Sequence, residues 1–472
     1  MGEETSPCFF AGPAYSQRYQ PSCWPARSGP FSATQTQGTA VMPNFGRGPE
    51  VPAEQSLPTT LDTTAFSKGA LQVVAQLQRS GFEAYVVGGA VRDLLMGRRP
   101  KDFDVATNAT PDEIKQCFRS ARIIGRRFQI VHVRAGGEII EVTTFRGHHD
   151  TTQSSQAARA AQSGRLLRDN VYGTLEEDAL RRDLTINALY YDTANHQLID
   201  HLNGAADIAA GLIRIIGQPI DRYAEDPVRM LRVVRFAARL GFDLEGDTES
   251  AIGESRHLLA EIPAARLFDE WLKLFMNGFS EPTFLLLSHF DLSTPLMGNN
   301  IAINSADEHT LALQRQALTN TDQRVADERP VTPAFLLAAL YWSAVEHRAT
   351  TLTAGGETPI QAMHSAGQQI VQEACQRLTI PKRFSLAMRD IWDLQPRLER
   401  MQPKKIRDLL ANRWFRAAFD LLLLREQTSD MSTQCSDFWE QKQKQYPELV
   451  GSARSRREKQ PPRGRRRRRG PN

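Results

Sequence analysis

The apolar pattern near residue 70 predicts a helix, a strand, a glycine turn and a second helix, in that order. Four apolar residues share one helical face: Ala70, Leu71, Val74 and Leu77. Gly81 is a stop signal for this helix. Residues 85–87 (Tyr-Val-Val) then form a predicted strand, Gly88 and Gly89 a turn, and the apolar face of residues 91–95 a second helix.

A second predicted strand covers residues 103–106 and leads into a helix with three start signals. Thr110 suits the N-cap, Pro111 the first helical position and Glu113 the third, so that Thr110 and Glu113 form a capping box. The start of this helix is the best specified boundary in the region.

Alternation of apolar and polar residues predicts a β-hairpin next. Residues 128–133 and 139–144 alternate on either side of the turn Ala-Gly-Gly at 135–137. The following segment, 150–163, is polar and rich in small residues, and we expect it to be mobile.

Beyond about residue 178 the helical period dominates the sequence. It is clearest in five segments: 231–240, 267–275, 335–345, 370–378 and 415–424. The predicted fold is an α/β head with a small mixed sheet, followed by an all-helical neck and body between disordered termini. The predicted boundaries are a disordered segment at 1–55, a head at 56–216, a neck at 217–280, a body at 281–450 and a disordered tail at 451–472.

Composition places the chain among multi-domain globular proteins. Its 472 residues are 41% hydrophobic and 24% charged, and no apolar run approaches the roughly 20 residues that span a bilayer. No membrane span is expected. The five cysteines have no paired spacing, which favours a reducing, cytoplasmic location and argues against a structural zinc site.

The charge is unevenly distributed along the chain. The net charge is +4, but residues 451–472 carry ten Lys or Arg against one Glu, including the uninterrupted run Arg465, Arg466, Arg467, Arg468 and Arg469. A cationic tail on a mildly acidic body indicates a polyanionic partner, with nucleic acid the first candidate and a solubilising terminus the alternative.

Two carboxylates, Asp102 and Asp104, flank Phe103 at the start of the second strand. Strand alternation places both on one face and Phe103 on the other. Adjacent carboxylates repel each other unless a cation neutralises them, and Mg²⁺ accepts one or two carboxylates together with phosphate oxygens. Alone, the pattern is a weak signal and a solvated strand end explains it more readily, but the neighbouring sequence reverses this preference.

The glycine turn lies about 13 residues upstream of this pair. Gly88 and Gly89 allow backbone amides to approach phosphate oxygens closely, and Arg92 in the following turn adds a charged donor. Since neither a Walker sequence nor a dinucleotide fingerprint occurs, the phosphate interpretation depends on the nearby Asp102 and Asp104.

Together, several segments resemble the class II nucleotidyltransferases, and among them the bacterial poly(A) polymerases. They are YVVGGAVRDLLMGRRPKDFDVATNATP, EIIEVTTFRGHH, LLRDNVYG, EEDALRRDLTINALYYD and EDPVRMLRVVRFAARLGF. The resemblance is dense over residues 80–280, thins through the body, where NRWFRAAFDLLLLR still fits, and returns in the arginine-rich tail.

The resemblance implies a role for each motif residue. Asp102 and Asp104 bind the metal and, with Asp183, are catalytic. The implied nucleotide-binding residues are Gly88, Gly89, Arg92, Asp93, Arg181, Arg182, Asn187, Glu225, Asp226, Arg229 and Arg232. On a helix, Asp183 and Asn187 would share a face and either would bond a ribose 2′-hydroxyl.

Asp226 and Arg229 are implied to read the base edge. Asp226 is also a good N-cap and Pro227 a good first-turn residue, and both interpretations hold together. The following helix would carry Arg229, Arg232 and Arg239 on one face and bury Leu231, Val234 and Ala238 on the other.

The implied reaction is transfer of AMP from ATP to the 3′-hydroxyl of RNA with two Mg²⁺ ions, for which Mn²⁺ is a substitute. Such polyadenylation promotes RNA decay, so proteins of the decay machinery are candidate partners. A CCA-adding enzyme of tRNA is the alternative within the enzyme class, and a non-catalytic RNA-binding adaptor the alternative outside it.

The sequence alone does not decide whether Glu141, or the group His148, His149 and Asp150, takes part in metal binding. Glu141 lies on a strand beside the active-site face and is a candidate third carboxylate, although half-exposed strand glutamates are common. His148, His149 and Asp150 suggest a metal cluster, but adjacent histidines in a strand point to opposite faces, so local structure or an RNA contact is the better interpretation.

Overall fold

The part of the chain that surrounds the predicted site is a twisted sheet built from the segments with strand alternation. A computed structural model describes residues 60–125, 129–147, 172–299, 307–428 and 434–450, all of which belong to one folded unit. The strands of the head are β1 (Ala84–Val87), β2 (Asp104–Thr107), β3 (Arg122–Ile124), β4 (Ile130–Ala135), β5 (Glu138–Thr144), β6 (Leu189–Asp192) and β7 (Gln197–Asp200).

The seven strands are ordered β3-β4-β5-β2-β1-β6-β7. Of the neighbours in this described sheet, β2 and β5 run parallel and the others are antiparallel. The predicted hairpin is β4 and β5, whose turn places both Gly136 and Gly137 at positive φ. Two further short strands, β8 (Leu212–Ile213) and β9 (Asp243–Leu244), pair with each other in parallel outside this sheet.

The helices in the described part of the head are α1 (Lys68–Arg79), α2 (Gly89–Leu95), α3 (Pro111–Cys117), α4 (Leu175–Leu180) and α5 (Gly204–Ala210). In α1 the buried face contains Ala70, Val74 and Leu77, while Leu71 is half-buried. The capping box that begins α3 is present, since the Thr110 side chain accepts from the amide of Glu113 and Glu113 bonds back to Thr110.

The rest of the described chain is helical. Its helices are α6 (Pro219–Glu225), α7 (Val228–Leu240), α8 (Gly246–Ser255), α9 (Ala264–Phe275), α10 (Ser280–His289), α11 (Ser293–Met297), α12 (Glu308–Ala326), α13 (Pro333–Leu340), α14 (Trp342–Ala354), α15 (Pro359–Arg377), α16 (Lys382–Glu399), α17 (Ile406–Ala411), α18 (Phe415–Thr428) and α19 (Gln434–Gln445). The largest fully buried side chains here are Trp271, Trp342, Trp392 and Trp439. Within the described ranges no helix is long and apolar enough to cross a membrane.

The predicted class, an α/β head on a helical neck and body, is confirmed, but the expectation that the helical period dominates beyond about residue 178 was wrong for residues 189–200. Strands do not end near residue 178, because β6 and β7 complete the sheet after α4. Residues Leu189 to Asp192 are all buried, so they lack the alternation that marks a half-exposed strand. The second strand also begins at Asp104, one residue later than predicted.

Several predictions concern segments outside the described residues. These are the disorder of 1–55 and of 451–472 and the mobility of 150–163. The division into head, neck and body stays a prediction at its stated boundaries.

Candidate nucleotidyltransferase site

Asp104 lies at the beginning of β2, in the centre of the sheet, with a strand on each side. Its partner on β1 is Val87 and its partner on β5 is Glu141, which in turn faces His132 on β4. Partners across a sheet point to the same face, so Asp104, Glu141 and His132 form a row. The His132 Nε2 atom lies 3.3 Å from Glu141 Oε1.

Alternation places Phe103 on the face opposite to the carboxylates, as the sequence predicts. Phe103 is buried and its ring centroid lies 6.0 Å from that of Phe66, which stacks in turn on Tyr191 at 5.1 Å. Asp102 and Asp104 are exposed. The apolar contacts of Phe103 fix the backbone between the two carboxylates, and both carboxylates stay exposed on the other side.

The environment of Asp104 disfavours its negative charge. By accessible area the residue is exposed, yet protein atoms crowd its carboxylate closely. The resulting loss of hydration, together with the negative charges of Glu141 and Asp102, raises the pKa of Asp104 to about 6, against the opposing effect of Arg182. A carboxylate held in this way is stabilised by any cation that binds beside it.

The glycine turn follows β1 directly and therefore adjoins Asp104. Gly88 has φ of +76°, and an added Cβ would lie 3.6 Å from both Arg182 Nη1 and the Asn187 carbonyl oxygen. Its amide donates to the carbonyl oxygen of Leu189 at 2.9 Å. A residue with a side chain is thus strained at this position, where the glycine turn meets the segment that carries Arg182 and Asn187. Gly89, the first residue of α2, is half-buried.

Arg92 is buried, and it contacts the two side chains that flank it rather than solvent. Its Nη2 and Nε donate to Asp93 Oδ1 at 2.6 and 2.9 Å, and its Nη1 donates to Asn187 Oδ1 at 2.6 Å. The guanidinium carbon also lies 5.2 Å from the centroid of the Phe236 ring. Burial holds the pKa of Arg92 below its ordinary value despite the Asp93 carboxylate. In this arrangement Arg92 orients Asp93 and Asn187.

Asp178 is a buried acid that sequence reasoning missed. Its Oδ1 accepts from the Arg146 amide at 3.2 Å and from Arg181 Nε at 3.1 Å. Its Oδ2 accepts from Arg182 Nη2 at 3.0 Å and from the Tyr190 hydroxyl at 2.7 Å. Burial opposes ionisation, but Arg182 and these donors hold the pKa of Asp178 below its ordinary value. The single negative charge of Asp178 is shared by Arg181 and Arg182, so the three side chains together keep one positive charge.

The four-residue spacing of Asp178 and Arg182 was the available signal for this cluster. Asp178 lies in α4 and Arg182 lies two residues beyond its end at Leu180, and the two form an i, i+4 ion pair. The Arg182 guanidinium also lies 5.1 Å from the centroid of the Tyr190 ring. Since Tyr190 belongs to β6, the missed strand, this contact was beyond the predicted elements.

The structure contradicts the expectation that Asp183 and Asn187 share a helical face. The helix ends at Leu180, and Asn187 ends a separate 3-10 turn, Thr185–Asn187. Asp183 Oδ2 accepts from Arg232 Nε of α7 at 2.5 Å and Oδ1 accepts from the Leu184 amide at 3.0 Å. Burial would raise the pKa of Asp183, but Arg232 holds it low. Tertiary contacts hold the two side chains separately, Asp183 through Arg232 and Asn187 through Arg92.

Glu225, Asp226 and Arg229, the residues implied to bind the base, lie around the start of α7 and are held by ion pairs. Glu225 Oε2 accepts from Arg229 Nη1 at 2.5 Å, and Asp226 Oδ2 accepts from Arg266 Nη2 of α9 at 2.7 Å. Pro227, rather than Asp226, occupies the N-cap position. Asp226 nevertheless caps the first turn, because its Oδ1 accepts from the Val228 amide at 3.2 Å.

The arginine face of α7 connects the neck to the head. Arg232 pairs with Asp183, as above, and Arg239 Nη2 lies 3.6 Å from Asp93 Oδ2. On the opposite face Leu231 and Val234 are fully buried, as predicted, whereas Ala238 is half-buried.

Some predicted residues are not placed by the structure. His148, His149, Asp150 and the five arginines Arg465 to Arg469 lie outside the described residues. Within the described ranges, no group of three or more His, Cys, Asp or Glu side chains is arranged to hold a metal ion. The Asp102–Asp104 pair supplies two carboxylates, which fits an ion that takes its other ligands from phosphate and water.

Comparison with known proteins decides the family. Residues 84–214 match the poly A polymerase head domain, 241–298 the probable RNA and SrmB-binding site of polymerase A, and 355–472 the polymerase A arginine-rich C-terminus. Poly(A) polymerase I of Salmonella typhimurium is 46% identical over 385 residues, which cover 80% of this chain and 82% of that protein. The chain belongs to the poly(A) polymerase I family. The predicted enzyme class, a polynucleotide adenylyltransferase that extends RNA without a template, is confirmed.

CCA-adding enzymes are more distant relatives of this poly(A) polymerase family member. The CCA-adding enzyme of Lactobacillus johnsonii is 39% identical over 229 residues, covering 48% of this chain and 55% of that protein. The crystal structure of the Bacillus stearothermophilus CCA-adding enzyme in complex with CTP has a TM-score of 0.52 and 27% identity, covering 81% of this chain and 83% of that one. The two groups therefore share the fold, whereas the sequence similarity to the Salmonella poly(A) polymerase is both stronger and longer.

Proposed function

We propose that AMP transfer takes place at the edge of the sheet where Asp104 begins β2, by in-line attack of an RNA 3′-hydroxyl on the α-phosphate of ATP. The supporting observation is that Asp102 and Asp104 lie exposed at this edge, with Glu141 as the register partner of Asp104 and the glycine turn directly after the neighbouring strand β1. The same crowding and charge raise the pKa of Asp104 to about 6. A site that disfavours its own carboxylate charge is one that gains from a bound cation.

Asp102 and Asp104 would hold Mg²⁺, with Mn²⁺ as a substitute. Two carboxylates on one strand edge, open to solvent, match the preference of Mg²⁺ for few protein ligands and several phosphate or water oxygens. When bound, the metal lowers the pKa of the attacking hydroxyl and stabilises charge on the leaving pyrophosphate. Glu141, the register partner of Asp104, would add negative charge beside the metal rather than complete a ready group of three ligands.

The two arginines on Asp178 would bind the triphosphate. Arg181 and Arg182 share one buried carboxylate, so the group keeps a positive charge that an anion neutralises. Gly88 and Gly89 allow phosphate oxygens to approach the backbone at the same end of β1. Arg92 acts through Asp93 and Asn187, which it orients.

The ribose and the base would be bound between the head and the neck. Asn187 uses its amide oxygen for Arg92, which leaves its amino group to donate to a ribose hydroxyl. Asp183, held by Arg232, would complete the catalytic set. Asp226 and Arg229 would present an acceptor and a donor to the base edge, with Glu225 fixing Arg229.

RNA would be held by its phosphates along the neck, the body and the tail. The positive charge of residues 451–472, including Arg465 to Arg469, suits contacts that do not depend on sequence. Proteins of the RNA decay machinery are candidate partners, and a cytoplasmic location fits the scattered cysteines.

The test is incubation of an unstructured RNA with ATP alone and with CTP alone, followed by separation of the products by length. A long ladder with ATP and little extension with CTP supports the proposed base pocket. Efficient CTP addition to a tRNA that lacks its 3′ end would contradict it.

A further inference from the structure

Arg222 lies on α6 between the two halves of the proposed nucleotide site. Its side chain is only 13% exposed. The Nη2 atom donates to the carbonyl oxygens of Arg181 and Arg182, at 3.0 and 2.6 Å. The guanidinium of Arg222 thus holds the backbone of the turn that carries the phosphate-binding arginines.

The other end of the same guanidinium contacts the base-reading motif. Its Nη1 donates to Glu225 Oε2 at 2.8 Å, and this oxygen also accepts from Arg229 Nη1 at 2.5 Å. Arg229 Nη1 donates in addition to the carbonyl oxygen of Arg222 at 2.9 Å. Arg222, Glu225 and Arg229 therefore form a closed set of bonds at the start of the neck.

Two further bonds hold the next residue of the turn from the same side. Arg232 donates to the Asp183 carboxylate, and the Ile216 amide donates to the Asp183 carbonyl oxygen at 2.9 Å. The neck segments thus hold Arg181, Arg182 and Asp183 in succession. What distinguishes Arg222 is that the same side chain also bonds to the base-reading motif.

We propose that Arg222 is a positioning residue that couples the phosphate-binding turn to the base-reading pair and thereby determines nucleotide choice. This inference rests on the proposed roles of Arg181, Arg182 and Arg229. The planar fork of a guanidinium reaches two carbonyl oxygens and a carboxylate at once. A lysine ammonium in the same place is a single point of contact and cannot hold both sides in register.

A Lys substitution at this position separates positioning from charge. In Arg222→Lys the positive charge stays, but Glu225 and the turn are no longer held together. We expect the KM for ATP to rise, and the preference for ATP over CTP in kcat/KM to fall by about tenfold, the loss typical of one charge-assisted hydrogen bond. Glu225→Gln removes the charge that orients Arg229 and should lower the same preference while changing the KM for ATP less.

Arg377 provides the matched control. Its guanidinium also donates hydrogen bonds to backbone carbonyl oxygens, those of Pro295, Ala260 and Leu259. Arg377 lies on α15 in the body, away from the proposed nucleotide site. Arg377→Lys should lower thermal stability to a similar extent and leave the ATP preference unchanged. A purely structural role of Arg222 would make the two variants behave alike.

The double variant tests the coupling itself. If Arg222 and Glu225 act through one connection, Arg222→Lys combined with Glu225→Gln lowers the ATP preference no further than the stronger single variant. Additive losses, or an unchanged preference in Arg222→Lys, overturn the proposal. Should Arg222→Lys fail to fold, the exposed Glu225→Gln decides alone, and an unchanged preference in that variant overturns it too.

The proposed function is checked separately with Arg229→Ala. If this variant keeps the full ATP preference, the assignment of the base-reading pair is wrong, whatever Arg222 does. If Arg229→Ala loses the preference while Arg222→Lys keeps it, the base-reading assignment stands and the coupling through Arg222 is wrong.

Discussion

Asp104 and Glu141 are register partners on the parallel strands β2 and β5, so two carboxylates lie side by side on one face of the sheet. Opposed like charges destabilise a pair of strands. His132 of β4 contacts Glu141, whereas the partner of Asp104 on its other side is the apolar Val87 of β1. The arrangement therefore favours a ligand that neutralises Asp104.

The first prediction concerns the charge of Asp104. Asp104→Asn should abolish extension of RNA with saturating Mg²⁺ and ATP, and should leave the metal-free protein as stable as the wild type or slightly more so, because a repulsion is removed. The measurements are primer extension and thermal unfolding in the presence of a chelator. Asp112→Asn, an exposed acid in the first turn of α3, is the control and should keep its activity. Substantial extension of RNA by Asp104→Asn would show that Asp104 is not an essential metal ligand.

The second prediction concerns pH. The pKa of Asp104, about 6 in the fold, exceeds its ordinary value of 3.8, so between these values the native state binds a proton that the unfolded chain does not. This group stabilises the metal-free fold at low pH, and its contribution is lost as the pH rises through about 6.

The measurement is the difference in Tm between wild type and Asp104→Asn, with chelator, across that range. We expect the wild type to lose stability relative to the variant as the pH rises from about 4 to about 6. Titrating groups that do not interact with Asp104 cancel in the difference, whereas Glu141 and Asp102 are coupled to it. A difference that does not change with pH would show that Asp104 titrates normally.

Local patterns predicted the elements around the site better than they predicted its contacts. The capping box at Thr110, the hairpin and the opposite faces of Asp104 and Phe103 follow from period and turn chemistry, which depend on neighbouring residues alone. Strand β6 was missed because its four residues are all buried, so no alternation marks it.

The contacts of the site depend on residues far apart in the sequence. Spacing suggested a shared helical face for Asp183 and Asn187, but Asp183 is held by Arg232, 49 residues later, and Asn187 by Arg92, 95 residues earlier. Arg222 acts through backbone carbonyl oxygens, which carry no sequence signal. Such tertiary bonds are set by how the neck packs on the head, and residue types alone do not specify them.

The third prediction concerns the tail. Removal of residues 451–472 should leave the KM for ATP on a short primer unchanged and weaken binding of long RNA, because the local charge of +9 is lost. The salt dependence of binding should flatten by up to about 0.7 log units per lost phosphate contact. The measurement is RNA affinity at several salt concentrations. An unchanged salt slope would mean that the tail is not an RNA-binding segment.

The fourth prediction concerns Asp178, whose carboxylate accepts from both Arg181 and Arg182. Asp178→Asn keeps the shape but removes the charge, so two buried or half-buried guanidinium groups lose their counter-ion. Breaking one partner of a buried pair typically costs about 3 to 5 kcal/mol of unfolding free energy. Because the pKa of Asp178 is held low, this stabilisation is present at neutral pH and should be lost as the pH falls through the low pKa of the folded state.

Beyond stability, the two arginines should lose their fixed positions, and the KM for ATP should rise at temperatures where the variant is fully folded. Tyr190→Phe is the milder comparison, because it removes a neutral hydroxyl that donates to Asp178 Oδ2 and accepts from Arg182 Nε, but leaves both ion pairs in place. Equal changes of the KM in the two variants would mean that Asp178 supports the sheet but does not position the phosphate-binding arginines.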